Sequence, residues 1–492
     1  MDKLPLIIKL STPKKSIFDS DLSVTFSSTI DYPKSEYGFH HFIHQTKDKT
    51  EILQKYAKTK KPYLIFNKFE NIIDGYKNDI NHSSIKFFNQ EIISRSFYKL
   101  WEILCLFDLI DLKTDKFVSV HLAEDNNSFV QAVLLFREKY AKKSSVSDKY
   151  YSYKLNTSKQ LSKFENDFNT KYSKKIILSG GKKTDKKTNK KTDKKTDKKT
   201  DKKINKKIKL ESESDTETET ETDTETETDA ETETETETET ETEIYTETDT
   251  ETETKLEFKK DKTTKNNITN IDTIKKISKE IKMEACLITA DGGFEWINEN
   301  IQEQEAFRLI ISEVAIAIKI QKKGGNFVCK FFEIFTNTTM KIISILTSVY
   351  ETVYIIKPLT SRQSNSERYV ICNNFKFDDK NKQYKNIIDK IDKLAEKINK
   401  NTSDYIVDIF ESYELDESNT NLITKMNIDI ANHQYENINK MIKYIKNERF
   451  LGTETTEQQN IQIECSKYWT DIFLNDDLQE DKTKKLMKHV TK

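Results

Sequence analysis

Glycine, proline and cysteine are all scarce in this 492-residue chain, which has nine glycines, five prolines and five cysteines. The cysteines show no CxxC spacing, and three of them fall in predicted strands, where a free thiol behaves as a small buried hydrophobe. The seven histidines form no HExxH or Cys/His cluster, so the sequence predicts no metal site. Because we find neither a signal peptide nor an apolar run of membrane-spanning length, we expect an intracellular, reduced protein, cytoplasmic rather than nuclear, with no membrane partner.

The formal net charge of −1 conceals a strong separation of charge along the chain. Residues 182–209 repeat a Lys-Lys-Thr-Asp unit, and residues 211–254 are mostly alternating Thr and Glu. Such a tract has no apolar surface to offset the entropy of ordering it, so we predict a disordered low-complexity insert over 182–260. A tolerated surface insertion is the favoured interpretation. The alternative is that the acidic half folds back onto a basic groove and competes with a polyanionic ligand.

The stretch from Ile281 to Asn373 alternates apolar runs of strand length with segments of helical periodicity. The predicted strands are 283–290, 326–329 and 352–356, and the helical segments include 307–318 and 338–350. We predict that Lys323-Gly324-Gly325 ends the first of these helices. The alternation predicts an α/β fold, a Rossmann-like parallel sheet with helices on both faces.

Two charged residues, Asp291 and Lys330, each follow a predicted strand of this sheet. In sheets of this kind, ligands bind beyond the carboxyl ends of the strands. We therefore predict a site that contains both residues.

A further strand and helix are predicted upstream, at Phe117–Leu122 and Phe129–Tyr140. The turn between them contains no glycine, although a nucleotide-type cofactor usually meets a glycine-rich turn at this place. Lys175–Leu178 is predicted to be the second strand. The glycine-free turn between Leu122 and Phe129 is the weakest point of any cofactor-binding interpretation.

Helical patterns flank this region on both sides. Ser94–Leu109 fits an amphipathic helix, and Lys99 lies beside its apolar stripe, where this segment alone favours an ordinary solvated lysine. Residues 1–90 are mixed in pattern, and residues 377–492 are predicted to be helical throughout.

Over residues 91–178 and 263–376 the chain resembles the FtsJ/RrmJ-type ribose 2′-O-methyltransferases, and most closely their eukaryotic and viral branch, which methylates capped mRNA. Four stretches carry the likeness: Ser94-Arg95-Ser96-Phe97-Tyr98-Lys99-Leu100-Trp101-Glu102-Ile103, Thr289-Ala290-Asp291-Gly292-Gly293-Phe294, Gly324-Gly325-Asn326-Phe327-Val328-Cys329-Lys330, and Thr360-Ser361-Arg362 through Ser366-Glu367-Arg368-Tyr369. Each stretch alone is a weak signal, but their order and their positions at strand ends are specific. The resemblance implies a three-part organisation: an N-terminal accessory region (1–90), a methyltransferase domain (91–376) interrupted by the insert, and a helical C-terminal region (377–492).

The family uses a Lys-Asp-Lys-Glu tetrad, and the matching positions are Lys99, Asp291, Lys330 and Glu367. A ribose hydroxyl becomes a good nucleophile only when a base takes its proton, and an amine can do so only if its pKa falls from about 10.4 toward neutrality. We expect Lys330 to be that base, with Lys99 as the like charge that lowers its pKa and contacts the ribose or phosphate. Asp291 would orient Lys330 and face the methyl donor, and Glu367 would hold Lys99. The plain alternative for all four is surface ion pairing.

The resemblance implies S-adenosyl-L-methionine as cofactor and RNA as substrate. The matching cofactor-binding positions are Glu124, Asn127, Ser128, Phe129, Asn267, Ile268, Asp291 and Gly292. Candidate RNA contacts are Arg95, Ser361, Arg362 and Asn365, with a structural salt bridge as the alternative for each arginine. We expect Gly292-Gly293 to leave room for the methyl donor.

Two departures from the family pattern concern the methyl donor. The glycine-rich turn is replaced by Asp125-Asn126-Asn127-Ser128, and the acidic residue near the adenine is replaced by Asn267.

The first hypothesis is an S-adenosylmethionine-dependent RNA 2′-O-methyltransferase acting near the 5′ end of capped mRNA, with capping or transcription machinery as candidate partners. The second is a catalytically degenerate RNA-binding or scaffolding protein that has lost donor binding. A third places the function in the Lys/Thr/Glu tract and the helical tail.

Overall fold

Ten strands form two sheets in the part of the chain that the computed structural model describes. The described residues are 4–30, 37–70, 87–154, 161–178, 267–293, 299–447, 452–478 and 480–491, and the predicted insert lies outside them. The strands are β1 (Leu6–Leu10), β2 (Val24–Ser27), β3 (Val118–Leu122), β4 (Lys149–Tyr153), β5 (Ile176–Leu178), β6 (Ala285–Ala290), β7 (Gln321–Phe331), β8 (Tyr350–Lys357), β9 (Arg368–Phe375) and β10 (Tyr405–Ile409).

The main sheet has eight strands in the order β1-β8-β9-β7-β6-β3-β4-β5. The five strands β7-β6-β3-β4-β5 are parallel to one another. β9 is antiparallel to both β7 and β8, and β1 is antiparallel to β8. The prediction of a parallel sheet was therefore wrong at this side, because a short loop between β8 and β9 returns the chain as a hairpin and needs no crossover helix.

Helices cover both faces of the main sheet, as predicted. They are α1 (Tyr37–Asp48), α2 (Thr50–Lys55), α3 (Pro62–Ile65), α4 (Ser96–Leu106), α5 (Ser128–Tyr140), α6 (Lys163–Lys171), α7 (Ile271–Ile281), α8 (Gln302–Ile320), α9 (Asn337–Val349), α10 (Lys382–Lys400), α11 (Glu417–Lys446), α12 (Thr453–Phe473) and α13 (Glu480–Met487). α7 to α10 pack on one face of the sheet, and α4, α5, α12 and α13 pack on the other.

The alternation of side chains along the central strands explains why both faces are apolar. In β6, Leu287 contributes to the core under α4 and α5, whereas the next residue, Ile288, contributes to the core under α8. Both are fully buried. A central strand covered on both sides must be apolar along its whole length, and this is why the run reads as continuous in the sequence.

Gly324 and Gly325 do not end α8, contrary to the prediction. α8 ends at Ile320, and Gln321 already has extended backbone and begins β7. Gly324 has φ +75°, and the strand advances five residues, from Gln321 to Asn326, while β6 advances two. The glycines therefore form an irregularity inside a strand, because a positive φ serves a bulge as well as it serves a helix end.

Three further sequence predictions were wrong. β1, β2 and β4 were missed, so the strand at 176–178 is the fifth in chain order rather than the second. The helix that carries Lys99 ends at Leu106 rather than at Leu109. The region 377–492 is not helical throughout, because β10 lies within it and pairs with β2. Tertiary pairing decides such short strands, and local pattern gives them little signal.

Both flanking regions contribute to the fold. β1 forms an edge of the main sheet, and the backbone of Thr491 hydrogen-bonds to Ile7 and Lys9 along that edge. The described residues of 1–181 and 256–492 form one compact unit. The division at residues 90 and 376 thus subdivides this unit along the sequence, and it stays a proposal.

None of the described helices combines the length and the apolar character needed to cross a bilayer.

A buried ion pair fixes α5 against β4. Arg137 donates from Nε and Nη2 to Asp148 at 2.9 and 3.0 Å, and both side chains are fully buried. Its Nη2 also donates to the carbonyl oxygen of Thr114 at 2.8 Å. Removing one partner would leave a buried charge without compensation.

We predict that Arg137→Ala lowers the free energy of unfolding by about 3–5 kcal/mol. Urea unfolding followed by circular dichroism measures this change. The control is Lys393→Ala, which removes an exposed i,i+4 pair with Asp389 and should cost no more than about 0.5 kcal/mol. Equal losses in the two variants would show that the Arg137 pair contributes no more than a surface pair.

Candidate active site

The carboxyl ends of β6 and β7 bring Asp291 and Lys330 together. Lys330 Nζ lies 3.2 Å from Asp291 Oδ1 and donates to the backbone carbonyl oxygen of Asp291 at 3.0 Å. The hydroxyl of Tyr369, from the neighbouring β9, donates to the same carboxylate at 3.0 Å. Side-chain exposure is only 12% for Lys330 and 9% for Asp291, so the pair is held away from bulk water.

A second ion pair, between Lys99 and Glu367, joins α4 to the start of β9. Lys99 Nζ donates to Glu367 at 2.8 Å, and Ser361 Oγ donates to the other oxygen of that carboxylate at 3.0 Å. Lys99 is 7% exposed, so the interpretation of this residue as an ordinary solvated lysine was wrong. A lysine beside an apolar stripe is buried here because a carboxylate from a distant loop receives it.

The electrostatics of the tetrad differ from those expected. Burial raises the pKa of Glu367, but Lys99 and Lys330 outweigh burial and bring that pKa down to about 2. Burial lowers the pKa of Lys330, but Asp291 and Glu367 outweigh it, so the pKa ends above its ordinary value. The expected lowering of the Lys330 pKa by Lys99 was therefore wrong for the protein without ligands.

Lys357, at the end of β8, is a site residue that the sequence analysis missed. It is buried and donates to the backbone carbonyl oxygens of Asn365 and Glu367 at 2.8 and 3.0 Å, and to Asn365 Oδ1 at 3.0 Å. Burial lowers its pKa to about 7. Its only sequence signal is its position just before the loop that carries Ser361 and Glu367.

This loop uses two of the candidate RNA contacts for its own structure. Ser361 is buried and donates to Glu367, and Asn365 accepts from Lys357. Contact of these two side chains with RNA stays a prediction.

Glu313, on α8, is a second missed residue. It is fully buried beneath the tetrad, and burial raises its pKa to about 8, although Lys330 opposes that shift. A Cβ added at Gly292 would lie 2.5 Å from Glu313 Oε1 and 2.7 Å from the side chain of Leu309. Packing therefore excludes a side chain at position 292, and the expectation that Gly292-Gly293 leaves room for the methyl donor stays a prediction.

The turn after β3 forms without a glycine. Ala123 has φ +57°, so the left-handed residue lies before the Asp-Asn-Asn-Ser run and not within it. Glu124 is buried and accepts a hydrogen bond from the backbone of Phe129. Burial raises the pKa of Glu124 well above its usual range, the backbone N–H of Phe129 opposes the shift, and Asp291 adds to it.

Two other predicted cofactor positions, Asn127 and Ser128, use their side chains for hydrogen bonds within the protein. Asn127 donates to Asn169 at 2.7 Å and accepts from Ser152 at 2.8 Å, and Ser128 hydrogen-bonds to Ser94 at 2.6 Å. The side chains of these residues therefore stabilise the turn.

Two of the predicted cofactor positions, Phe129 and Ile268, are fully buried apolar residues. Asn267 is half-buried and accepts from the backbone N–H and the hydroxyl of Thr269 at 3.0 and 2.9 Å. The side chains of Phe129 and Ile268 are therefore covered by protein, and the backbone N–H of Phe129 already donates to Glu124.

Arg95 and Arg362, the remaining candidate RNA contacts, approach one another through Glu70. Arg95 Nη1 and Arg362 Nη2 each lie 3.8 Å from a carboxylate oxygen of Glu70. Arg362 also lies over the ring of Tyr63, 6.0 Å from its centre. Arg95 immediately precedes the helix of Lys99, and Arg362 lies on the loop of Glu367.

An α/β sheet with helices on both faces, an antiparallel strand beside its parallel part and a charged site at its carboxyl edge define the Rossmann-like methyltransferase class. Residues 246–375 match the family model described as FtsJ-like methyltransferase. This match agrees with the resemblance described above.

Several curated proteins are similar to part of the chain. A Caenorhabditis elegans protein named cap-specific mRNA (nucleoside-2'-O-)-methyltransferase 1 is 35% identical over 189 residues, which are 37% of this chain and 20% of that protein. A Dictyostelium discoideum protein of the same name is 30% identical over 186 residues, 37% of this chain and 23% of that protein. A Caenorhabditis briggsae protein named inactive cap-specific mRNA (nucleoside-2'-O-)-methyltransferase 1B is 32% identical over 208 residues, 41% of this chain and 24% of that protein.

The chain thus matches at most 24% of the length of any of these three relatives. One of them is named inactive, so similarity to these proteins does not by itself decide activity.

We predict that Gly292→Ala lowers the free energy of unfolding by about 1–3 kcal/mol, because the added methyl group overpacks the space next to Glu313 and Leu309. The matched control is Gly293→Ala, whose Cβ would meet only the flexible end of Lys330, at 3.3 Å. We expect that variant to change stability by no more than about 0.5 kcal/mol. Thermal or urea unfolding of both variants checks the pair, and an equal response would contradict the packing at Gly292.

Proposed function

We propose that this chain is an S-adenosylmethionine-dependent methyltransferase that acts on a ribose 2′-hydroxyl of RNA near the 5′ end of capped mRNA. The observation that carries the proposal is the pair of adjacent ion pairs, Lys330–Asp291 and Lys99–Glu367, at the carboxyl edge of the sheet. The names of the similar proteins support the choice of substrate. RNA is the proposed substrate, and capping machinery is the proposed partner.

Each residue of the tetrad has a proposed role that follows from its contacts. Lys330 is the general base, because its amine lies near the carboxyl end of β7 beside Asp291, where ligands bind in sheets of this kind. Asp291 orients Lys330 through two contacts, and Glu367 holds Lys99 for contact with the ribose or its phosphate. Proton transfer by a positioned side chain contributes about 10²–10⁴-fold to a rate.

The raised pKa of Lys330 constrains this proposal. At neutral pH the amine of the ligand-free protein is protonated, because Asp291 and Glu367 stabilise the charged form. Positive charge bound against Asp291 would oppose that effect and lower the pKa of Lys330. Donor binding would therefore favour the neutral form of Lys330 that acts as a base.

The residues near Asp291 fit a cationic methyl donor. S-adenosylmethionine supplies an activated methyl group on a sulfonium cation. Glu124 Oε2 is buried and makes no hydrogen bond within the described residues, and its carboxyl group interacts with that of Asp291. An unsatisfied buried carboxyl oxygen needs a partner, and a cation is the strongest one available.

We propose that Glu124, Asp291 and Gly292 hold the donor from one side. The turn at Asn127 and Ser128 and the backbone of Phe129, Asn267 and Ile268 would complete the site.

We predict that Lys330→Ala lowers methyl transfer to a capped RNA by about 10²–10⁴-fold while RNA affinity changes little, because the variant removes the proposed base. Transfer of a radiolabelled methyl group and fluorescence anisotropy measure the two quantities. Lys319→Ala is the control, since Lys319 pairs with Asp392 on another helix and lies outside the tetrad. Equal turnover in wild type and Lys330→Ala would remove Lys330 from the role of base.

The same assay carries a pH test. Because the pKa of Lys330 in the free protein lies above its ordinary value, the neutral amine becomes more abundant as pH rises. We expect kcat/KM of the wild type to rise across the neutral to alkaline range, as it reports the free enzyme. A flat profile would contradict a protonated Lys330 in the free protein.

The second candidate function is a catalytically degenerate RNA-binding or scaffolding protein. Two observations favour it: the side chains of Asn127 and Ser128 are engaged within the turn, and one similar protein is named inactive. Such a protein would have kept the fold and the ion pairs while losing the donor.

Isothermal titration with S-adenosylmethionine and with its demethylated product distinguishes the two functions. We expect micromolar binding for the enzyme, because the carboxyl group of Glu124 lacks a hydrogen-bond partner for one oxygen. Glu124→Gln should weaken the binding of the cation more than that of the neutral product. Absence of binding at millimolar donor would favour the scaffold.

A further inference from the structure

A lysine-rich surface lies on the N-terminal helices, outside the tetrad. Residues 49–61, which include α2, contain five lysines and one glutamate, and residues 436–446 at the end of α11 contain three lysines and one glutamate. Seven of these lysines are exposed and form what we call the lysine face: Lys49, Lys55, Lys58, Lys61, Lys440, Lys443 and Lys446. None of the seven forms an ion pair within the described residues.

The two segments of the lysine face are held together by an apolar core. Leu53 and Phe66 pack against Ile438 and Met441 of α11, and all four are buried. Lys60 donates to the carbonyl oxygen of Ile445 at 2.9 Å, which joins the segments at the end of α11. The apolar sides face inward, so the lysines are left on the outer side as a concentrated positive charge.

Aromatic rings lie among these lysines. Lys60 Nζ is 4.6 Å from the ring centre of Tyr56, and Lys49 Nζ is 5.9 Å from that of Tyr435. Both tyrosines are exposed, although large aromatic side chains are normally covered. A positive surface with exposed rings suits a single-stranded nucleic acid, whose phosphates meet the lysines and whose bases stack on the rings.

The lysine face is connected to the tetrad through Tyr63 and Arg362. Tyr63 packs with the core under the lysine face and lies beneath the guanidinium of Arg362 at 6.0 Å. Arg362 follows Ser361, which binds Glu367. Tyr63 therefore contacts both Arg362, on the loop of Glu367, and the core under the lysine face.

We infer that the lysine face binds the phosphodiester backbone of the single-stranded RNA that extends away from the reacting ribose. The inference rests on the proposed function for the identity of the polyanion as RNA. The charge pattern is local to the N-terminal helices and the end of α11, and it lies outside the region that matches the family model. We therefore expect the lysine face to make this chain bind a longer RNA more tightly than the methyltransferase domain alone would.

The test compares two triple variants. The first, called the α2–α3 variant, is Lys55→Ala/Lys58→Ala/Lys61→Ala. The second, a matched control called the α10 control, is Lys382→Ala/Lys385→Ala/Lys397→Ala. The control removes three exposed lysines from α10, on another part of the surface. The probe is a fluorescent, unstructured single-stranded RNA of about 20 nucleotides, titrated at salt concentrations from about 50 to about 200 mM. Each contacted phosphate contributes about 0.7 to the salt slope of a single strand, so three lost contacts lower the slope by about 2.

We expect the α2–α3 variant to bind the RNA on the order of tenfold more weakly at low salt and with the smaller slope. The α10 control should keep the wild-type affinity and slope. Wild-type behaviour of the α2–α3 variant would overturn the inference, and so would an equal loss in the control, since the effect would then be one of net charge. Binding of a poly-glutamate peptide as tightly as RNA would overturn the assignment of the partner.

A parallel methylation assay separates this inference from the proposed function. With wild-type protein, a long capped RNA should have a lower KM than a capped RNA of a few nucleotides, and the α2–α3 variant should lose that preference. If RNA binds through the lysine face but neither substrate is methylated, the proposed function is wrong. RNA binding by the lysine face would still be supported.

Discussion

The ion pair between Lys330 and Asp291 joins the ends of two neighbouring strands, and the rest of the site is arranged to make its burial tolerable. A charge removed from water must be paired and hydrogen-bonded, because the desolvation cost otherwise exceeds the attraction. Tyr369 satisfies Asp291, and Glu367 adds a second negative charge near Lys330. Lys99 then neutralises Glu367, so the two ion pairs form one compensated set.

This compensation reaches beyond the tetrad. Lys357 holds the loop that carries Glu367, and Glu102, one turn after Lys99 on α4, accepts from the backbone N–H of Leu359 at 2.8 Å. Burial raises the pKa of Glu102 to about 7, although its hydrogen bonds from Leu359 and Trp469 act in the opposite direction. Trp469 belongs to α12, so the C-terminal helices take part in fixing the loop that faces the tetrad.

The carboxyl groups around Asp291 are less negative than their number suggests. Burial raises the pKa of Glu313 to about 8 and that of Glu124 well above its usual range. At neutral pH Glu313 is therefore largely protonated in the ligand-free protein, and burial favours the protonated form of Glu124 as well. A cation that entered beside Glu124 would favour its ionised form, so ligand charge and the protonation of the site are linked.

The sequence by itself determined the elements that depend on neighbours in the chain. The apolar runs and helical periods of residues 281–373 come from local alternation, and this is why Asp291 and Lys330 could be assigned to strand ends. The same local information gave the wrong role to Gly324 and Gly325, since a positive φ suits both a helix end and a bulge. Tertiary structure alone decided which strands are adjacent, which lysines are buried and which carboxyl groups hold a proton. These properties arise from contacts between residues hundreds of positions apart, such as Lys99 with Glu367, and the electrostatics of a charge depend on what surrounds it in space.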